Sequence, residues 1–144
     1  METDFKYCIW LIFDKNIELQ KLTNSFRPHI SIKTDLEENE ANIIFKKIKN
    51  DNKKFNIKLE KNIINSKENN FYALYFNVKL LYDIKPTWWP NDAHVSIKYN
   101  YNQPFSNEEI NSINVKKLEY KTDDIIIMKC TGHHSKWIRI NPDL

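Results

Sequence analysis

The chain has 144 residues, 41% of them hydrophobic and 13% aromatic, enough for one domain with a real core. Its single glycine, Gly132, excludes glycine-rich phosphate loops of the P-loop or dinucleotide-binding kind, which need several glycines to bring backbone up to a phosphate. A net charge of +3 suits a small anionic ligand and is too weak to argue for duplex DNA.

Lys6 to Phe13 is an apolar, aromatic and β-branched run that predicts a strand buried on both faces. The run is too short for a secretory core, and no stretch approaches the roughly 20 apolar residues of a membrane span. Cys8 and Cys130 both fall in apolar runs and read as buried free thiols. The expectation is a cytoplasmic protein in a reducing compartment, with no membrane partner. Asp14 to Asn24 is polar with scattered leucines, a loop or short helical turn. Pro28 is tolerated where it stands, at the start of a second strand.

Thr34 to Asn50 reads as a helix, with Thr34 or Asp35 as cap, Glu37 and Glu38 in the first turn and lysines in the last. Leu36, Ala41, Ile44, Phe45 and Ile48 form its apolar stripe. Lys54 to Ile64 and Phe71 to Val78 read as a hairpin with a polar turn at Ser66 to Asn70. Leu80 to Asp92 holds two prolines and two tryptophans, a stiff irregular loop leading into a strand from Ala93 to Tyr99. Ser106 and Glu109 have capping-box spacing and open a short helix carrying Ile110 and Ile113. Lys117 to Lys121 and Asp124 to Cys130 read as strands, Thr131 to Ser135 as a turn, and Trp137 to Ile140 as a return strand. The predicted fold is α+β: one domain over residues 1–144, with two pseudo-symmetric lobes, antiparallel sheets around a central cleft and helices on the outer faces. A monomer is expected.

One phrase occurs twice. Arg27-Pro28-His29-Ile30-Ser31-Ile32-Lys33 is echoed by Asp92-Ala93-His94-Val95-Ser96-Ile97-Lys98, and 65 residues separate the two histidines. In a strand, side chains alternate between faces. His29, Ser31 and Lys33 therefore share one face, as do His94, Ser96 and Lys98, with Ile30, Ile32, Val95 and Ile97 on the other. A lone His-x-Ser strand is usually an ordinary solvated face. A repeat of the same types at the same offsets, among four histidines, points to two imidazoles in one cleft.

Two histidines about one phosphate apart suffice for phosphodiester cleavage without a metal. One takes a proton from the attacking oxygen and the other gives one to the leaving oxygen. Unperturbed imidazole titrates near neutral pH, so either role is open to either residue. Ser31 and Ser96 are placed to donate to the non-bridging oxygens. Lys33 and Lys98 are candidate charge contacts. Trp88 and Trp89 are candidate stacking surfaces for a base, and His133 a candidate contact from the rim. Trp10 and Trp137 read as core, and Tyr99 as structural on the apolar face. Asp92 shares the face of His94 and either orients the imidazole or caps the incoming loop. A metal site is the rival reading, but the carboxylates lack a convincing spacing to either histidine, and His133 and His134 complete a ligand set only if their turn folds over the cleft. No metal and no cofactor are expected.

The two motifs, with Tyr7-Cys8-Ile9-Trp10-Leu11 before the first, resemble the 2H phosphoesterase superfamily over nearly the whole chain. That resemblance implies His29 and His94 as the acid/base pair, Ser31 and Ser96 as phosphate ligands, and no metal. It implies hydrolysis of a small nucleotide or oligonucleotide: a 2′,3′-cyclic phosphate, a 2′-5′ oligoadenylate or a cyclic dinucleotide. Both motifs carry Ser where Thr is commoner in the family, and residues 80–92 are shorter than the helix many members have there. The compact length is similar to viral and phage members, which implies a signalling nucleotide and, for a viral member, a role in the host cytoplasm. A nucleotide- or RNA-end-binding module using the same cleft without turnover is the alternative, and RNA end joining a third.

Overall fold

The computed structural model describes residues 3–13, 18–23, 27–50, 55–68, 71–81, 86–122, 124–132 and 137–140. They form eight strands and three helices in a mixed fold that is mostly strand. In chain order these are β1 (Thr3–Ile12), α1 (Glu18–Thr23), β2 (His29–Leu36), α2 (Glu38–Asn50), β3 (Phe55–Lys67) and β4 (Tyr72–Leu80). Then come β5 (His94–Asn100), α3 (Asn107–Asn111), β6 (Glu119–Thr122), β7 (Asp124–Gly132) and β8 (Ile138–Arg139). All strand pairs are antiparallel, in one sheet of order β6-β3-β4-β5-β2-β1-β7-β8. No helix among the described residues is long and apolar enough to cross a membrane.

The chain does not divide at its midpoint to build this sheet. The run β6-β3-β4-β5 comes from one continuous segment, whereas β2-β1-β7-β8 joins the two ends of the chain. β6 and β7 are separated by a single residue in sequence yet pair with different strands, β3 and β1 respectively.

The core lies mainly on one face of the sheet. Ile9, Leu11, Ile30, Ile32, Ile57, Leu59, Leu74, Val95 and Ile97 point into it, and Leu19, Ala41, Phe45 and Ile48 from α1 and α2 join the same cluster. β1 is buried on both faces, as its composition demands: Cys8, Trp10 and Ile12 enter a second cluster with Ile126, Met128 and Cys130. Ile30 is fully enclosed where β2 meets β5. Ile30→Ala is expected to cost about 2–5 kcal/mol, the usual range for emptying such a site, read as a lower urea midpoint with unchanged slope.

Helix α2 begins later than its sequence suggests. Thr34, Asp35 and Leu36 extend β2, and Leu36 enters the core from the strand. Asp35 adopts φ 59°, a left-handed turn that aspartate tolerates, and Lys6 and Tyr7 both sit opposite Leu36 in a bulge. The cap falls on Glu37: its N–H donates to the Glu40 carboxylate, and its carbonyl accepts from Ala41 N–H. α3 keeps the expected capping box, with Glu109 N–H donating to Ser106 Oγ and Ser106 N–H to the Glu109 carboxylate.

Candidate active site

β2 and β5 are neighbours at the middle of the sheet, and the rung that joins them is Ile30 opposite Val95. A two-fold axis through that rung carries residues 29–31 of β2 onto residues 94–96 of β5, 65 places later. It exchanges His29 with His94 and Ser31 with Ser96. Continuing the antiparallel register by one step sets His29 across from Ser96 and Ser31 across from His94. Each imidazole thus has the hydroxyl of the other strand beside it. All four side chains are partly buried and line one cavity of about 630 Å³.

The two histidines are held alike. His29 Nδ1 lies 2.7 Å from the Arg27 carbonyl, and His94 Nδ1 lies 2.8 Å from the Asp92 carbonyl. A carbonyl only accepts, so Nδ1 is the protonated nitrogen in both rings, and Nε2 is the basic one when the ring is neutral. Backbone performs the orienting, which is why the position two before each histidine can be Arg in one copy and Asp in the other. The Asp92 carbonyl, rather than its carboxylate, orients His94.

Each ring also rests on an aromatic side chain. Trp10 stacks on His29 with centroids 3.6 Å apart and planes at 12°, and Tyr75 packs against His94 at 4.9 Å and 54°. Each aromatic stands 19 positions before its histidine, so the repeat extends one strand outward on both sides. Burial pushes the pKa of His29 down to about 4; the Arg27 carbonyl opposes the shift and the charge of His94 adds to it.

No family model matches the chain, and neither does any curated protein or solved structure.

Lys33 reaches the cavity, as expected of its strand face, but Lys98 does not. Between Leu74 opposite Lys98 and Tyr75 opposite Ser96 the ladder slips by one residue. The slip reverses the alternation beyond Ile97, so Tyr99, expected on the apolar face, lines the cavity in place of Lys98. The Tyr99 hydroxyl end is desolvated, which raises its pKa, and a hydrogen bond with the Ser96 side chain partly offsets that.

Trp88 and Trp89 are 6% and 7% exposed and belong to the main core, away from the cavity lining, so the proposed stacking surfaces are core side chains. The prolines around them form a turn, with Trp89 N–H donating to the Pro86 carbonyl, and it folds the indoles inward. Trp10 and Trp137 line the cavity instead. His133 and His134 lie outside the described residues. Arg27 lines the cavity too, its guanidinium donating from Nε and Nη2 to the Phe13 carbonyl at 3.1 and 2.8 Å. Cys8 and Cys130 are buried free thiols at the cavity wall; a mutual hydrogen bond, then burial, push the Cys130 thiol far up and keep it protonated. Among the described residues no group of three or more His, Cys, Asp or Glu converges as a metal ion would require.

Of the residues missed, Trp10 and Tyr75 carried a signal: both are aromatic and they stand at the same 65-residue offset as the histidines. Arg27 and Tyr99 carried none, because a hydrogen bond to a distant carbonyl and a bulge leave no local pattern.

Proposed function

We propose that the chain is a metal-independent phosphodiesterase of the 2H phosphoesterase type, cleaving a small nucleotide or oligonucleotide in a cleft between two pseudo-symmetric lobes. The observation that carries the reading is the mirrored pair of Nδ1–carbonyl bonds. They leave two imidazoles with the same tautomer, each next to a serine hydroxyl, in one cavity.

In this reading His29, neutral at pH 7 because burial lowers its pKa, takes the proton of the attacking water or ribose hydroxyl as the new P–O bond forms. His94 gives a proton to the leaving oxygen as the old P–O bond breaks. Ser31 and Ser96 donate to the non-bridging oxygens, and Lys33 adds positive charge from the rim. Proton exchange with water then restores both rings. The proposal takes the protein to act as a monomer in a reducing cytoplasm, a setting that suits two buried free thiols.

The test is turnover in excess chelator with 2′,3′-cyclic nucleotides, 2′-5′ oligoadenylate and cyclic dinucleotides. Product from any of them supports the proposal. Intact nucleotide recovered from a tight complex, with no product, would replace it with the binding-module reading. Ser31→Ala and Ser96→Ala are each expected to lower kcat about 10- to 100-fold, the 1.5–3 kcal/mol carried by a hydrogen bond to a charged group. Steady-state kinetics on the active substrate checks this.

A further inference from the structure

We infer that the cavity takes a phosphodiester with a nucleobase on each side, one base against Trp137 and Phe5 and the other against Tyr99, Phe71 and Tyr101. The inference rests on the phosphodiester reading of the histidine pair and narrows its substrate to a dinucleotide unit.

Two aromatic chains lead away from the histidines. On one side Trp10 stacks on His29, Trp137 lies 5.9 Å from Trp10, and Phe5 meets Trp137 edge-on at 6.0 Å. On the other side Tyr99 bonds to Ser96, and Phe71 meets Tyr99 at 5.6 Å and Tyr101 at 6.3 Å, both edge-on.

The strand register sends these chains in opposite directions. β5 runs antiparallel to β2, so its last residues lie alongside the start of β2, and Tyr99 and Tyr101 sit at that end. β1 also runs antiparallel to β2, so its first residues lie alongside the end of β2, and Phe5 sits there. The histidine pair lies between.

Both groups line the same cavity, yet they are left open. Phe5, Tyr99 and Tyr101 are 37%, 37% and 39% exposed, and they are three of the six large hydrophobic side chains exposed among the described residues. A base laid on such a ring covers it and is held without hydrogen-bond readout. A mononucleotide covers one group and leaves the other in water. A dinucleotide covers both while its phosphate sits at the histidines. The cavity volume of about 630 Å³ is in the middle of the range for whole small-molecule ligands.

The experiment measures binding by calorimetry to His94→Ala protein, so that ligand stays intact, and turnover with the wild type. The probes are a 2′-5′- and a 3′-5′-linked dinucleoside monophosphate, a cyclic dinucleotide and a 2′,3′-cyclic mononucleotide. At least one two-base probe is expected to bind about tenfold or more tighter than the one-base probe. Phe5→Ala or Trp137→Ala on one side, and Tyr101→Ala or Tyr99→Ala on the other, should each remove about tenfold from two-base affinity. No one-base probe should lose affinity to variants on both sides, and Tyr101→Phe should keep wild-type binding. Phe5 and Tyr101 are 37% and 39% exposed, so their truncation leaves the fold testable by thermal melting.

Equal affinity for one- and two-base probes, or loss confined to one side, overturns the inference. Turnover of the cyclic mononucleotide alone overturns it while leaving the phosphodiesterase intact. Tight two-base binding with no turnover of any probe does the reverse.

Discussion

Replacing His29 or His94 with alanine is expected to reduce kcat by about 10²- to 10⁴-fold, the range of a positioned acid or base. The two losses should not multiply, because one proton is taken as another is given and each half-reaction is idle without its partner. The pair is held by backbone carbonyls at 2.7 and 2.8 Å, so truncating one ring leaves the other's tautomer untouched. A variant at either position that keeps full turnover would remove that residue from the chemistry. Single-turnover kinetics with saturating substrate separates loss of chemistry from loss of binding. Since the residues next to the histidines, Ile30 and Val95, are buried in the core, the alanine variants should fold, and circular dichroism checks that first.

The second large effect is on pH dependence. Burial desolvates the imidazole of His29 in the cavity wall, which lowers its pKa from 6.5 to about 4. In the unfolded chain it titrates near the ordinary value. Between those two pH values the unfolded chain binds the extra proton and the native state does not, so stability rises with pH across the window. Full stability is present above about pH 6.5 and is lost as pH falls toward 4. At about 1.4 kcal/mol for each unit, the loss from this residue is roughly 3 kcal/mol. Urea unfolding at pH 7.5, 5.5 and 4.5 should show it, and His29→Gln should remove most of the slope. A variant with the wild-type slope would place the proton uptake elsewhere. In the proposed reaction the same shift keeps His29 unprotonated well below neutrality. The acid limb of kcat/KM should therefore sit near pH 4, and a limb well above that would take the base role from His29.

Local chemistry made much of the fold legible. Ser106 and Glu109 sit three apart and form the capping box, because both partners lie within one turn. The apolar run in β1 is buried on both faces, as a strand with no polar alternation must be. The repeated phrase located both histidines and both serines in one cavity, since period-two alternation holds wherever a strand is regular. It failed where the strand is not regular. The slip between Leu74 and Tyr75 exchanged Lys98 for Tyr99, and nothing in residues 96–99 announces it. Trp88 and Trp89 lie in a stiff proline turn, as expected, but whether a turn folds its indoles inward depends on the space above the core. Leu36 fits a helical stripe and a strand alternation equally well, and a left-handed Asp35 decided for the strand. That β6 and β7, separated by one residue in sequence, pair with β3 and β1 depends on which edges are unfilled, a property of the assembled whole.

A single rung, Ile30 with Val95, ties β2 to β5, whereas β1 and β7 share eight. The two histidines therefore straddle the weakest seam of the sheet, with one imidazole and one hydroxyl on each bank. An anion gripped by Ser31 and Ser96 together would rivet that seam, so occupancy and stiffness rise in step. Release of product would then loosen the joint that the next ligand has to close.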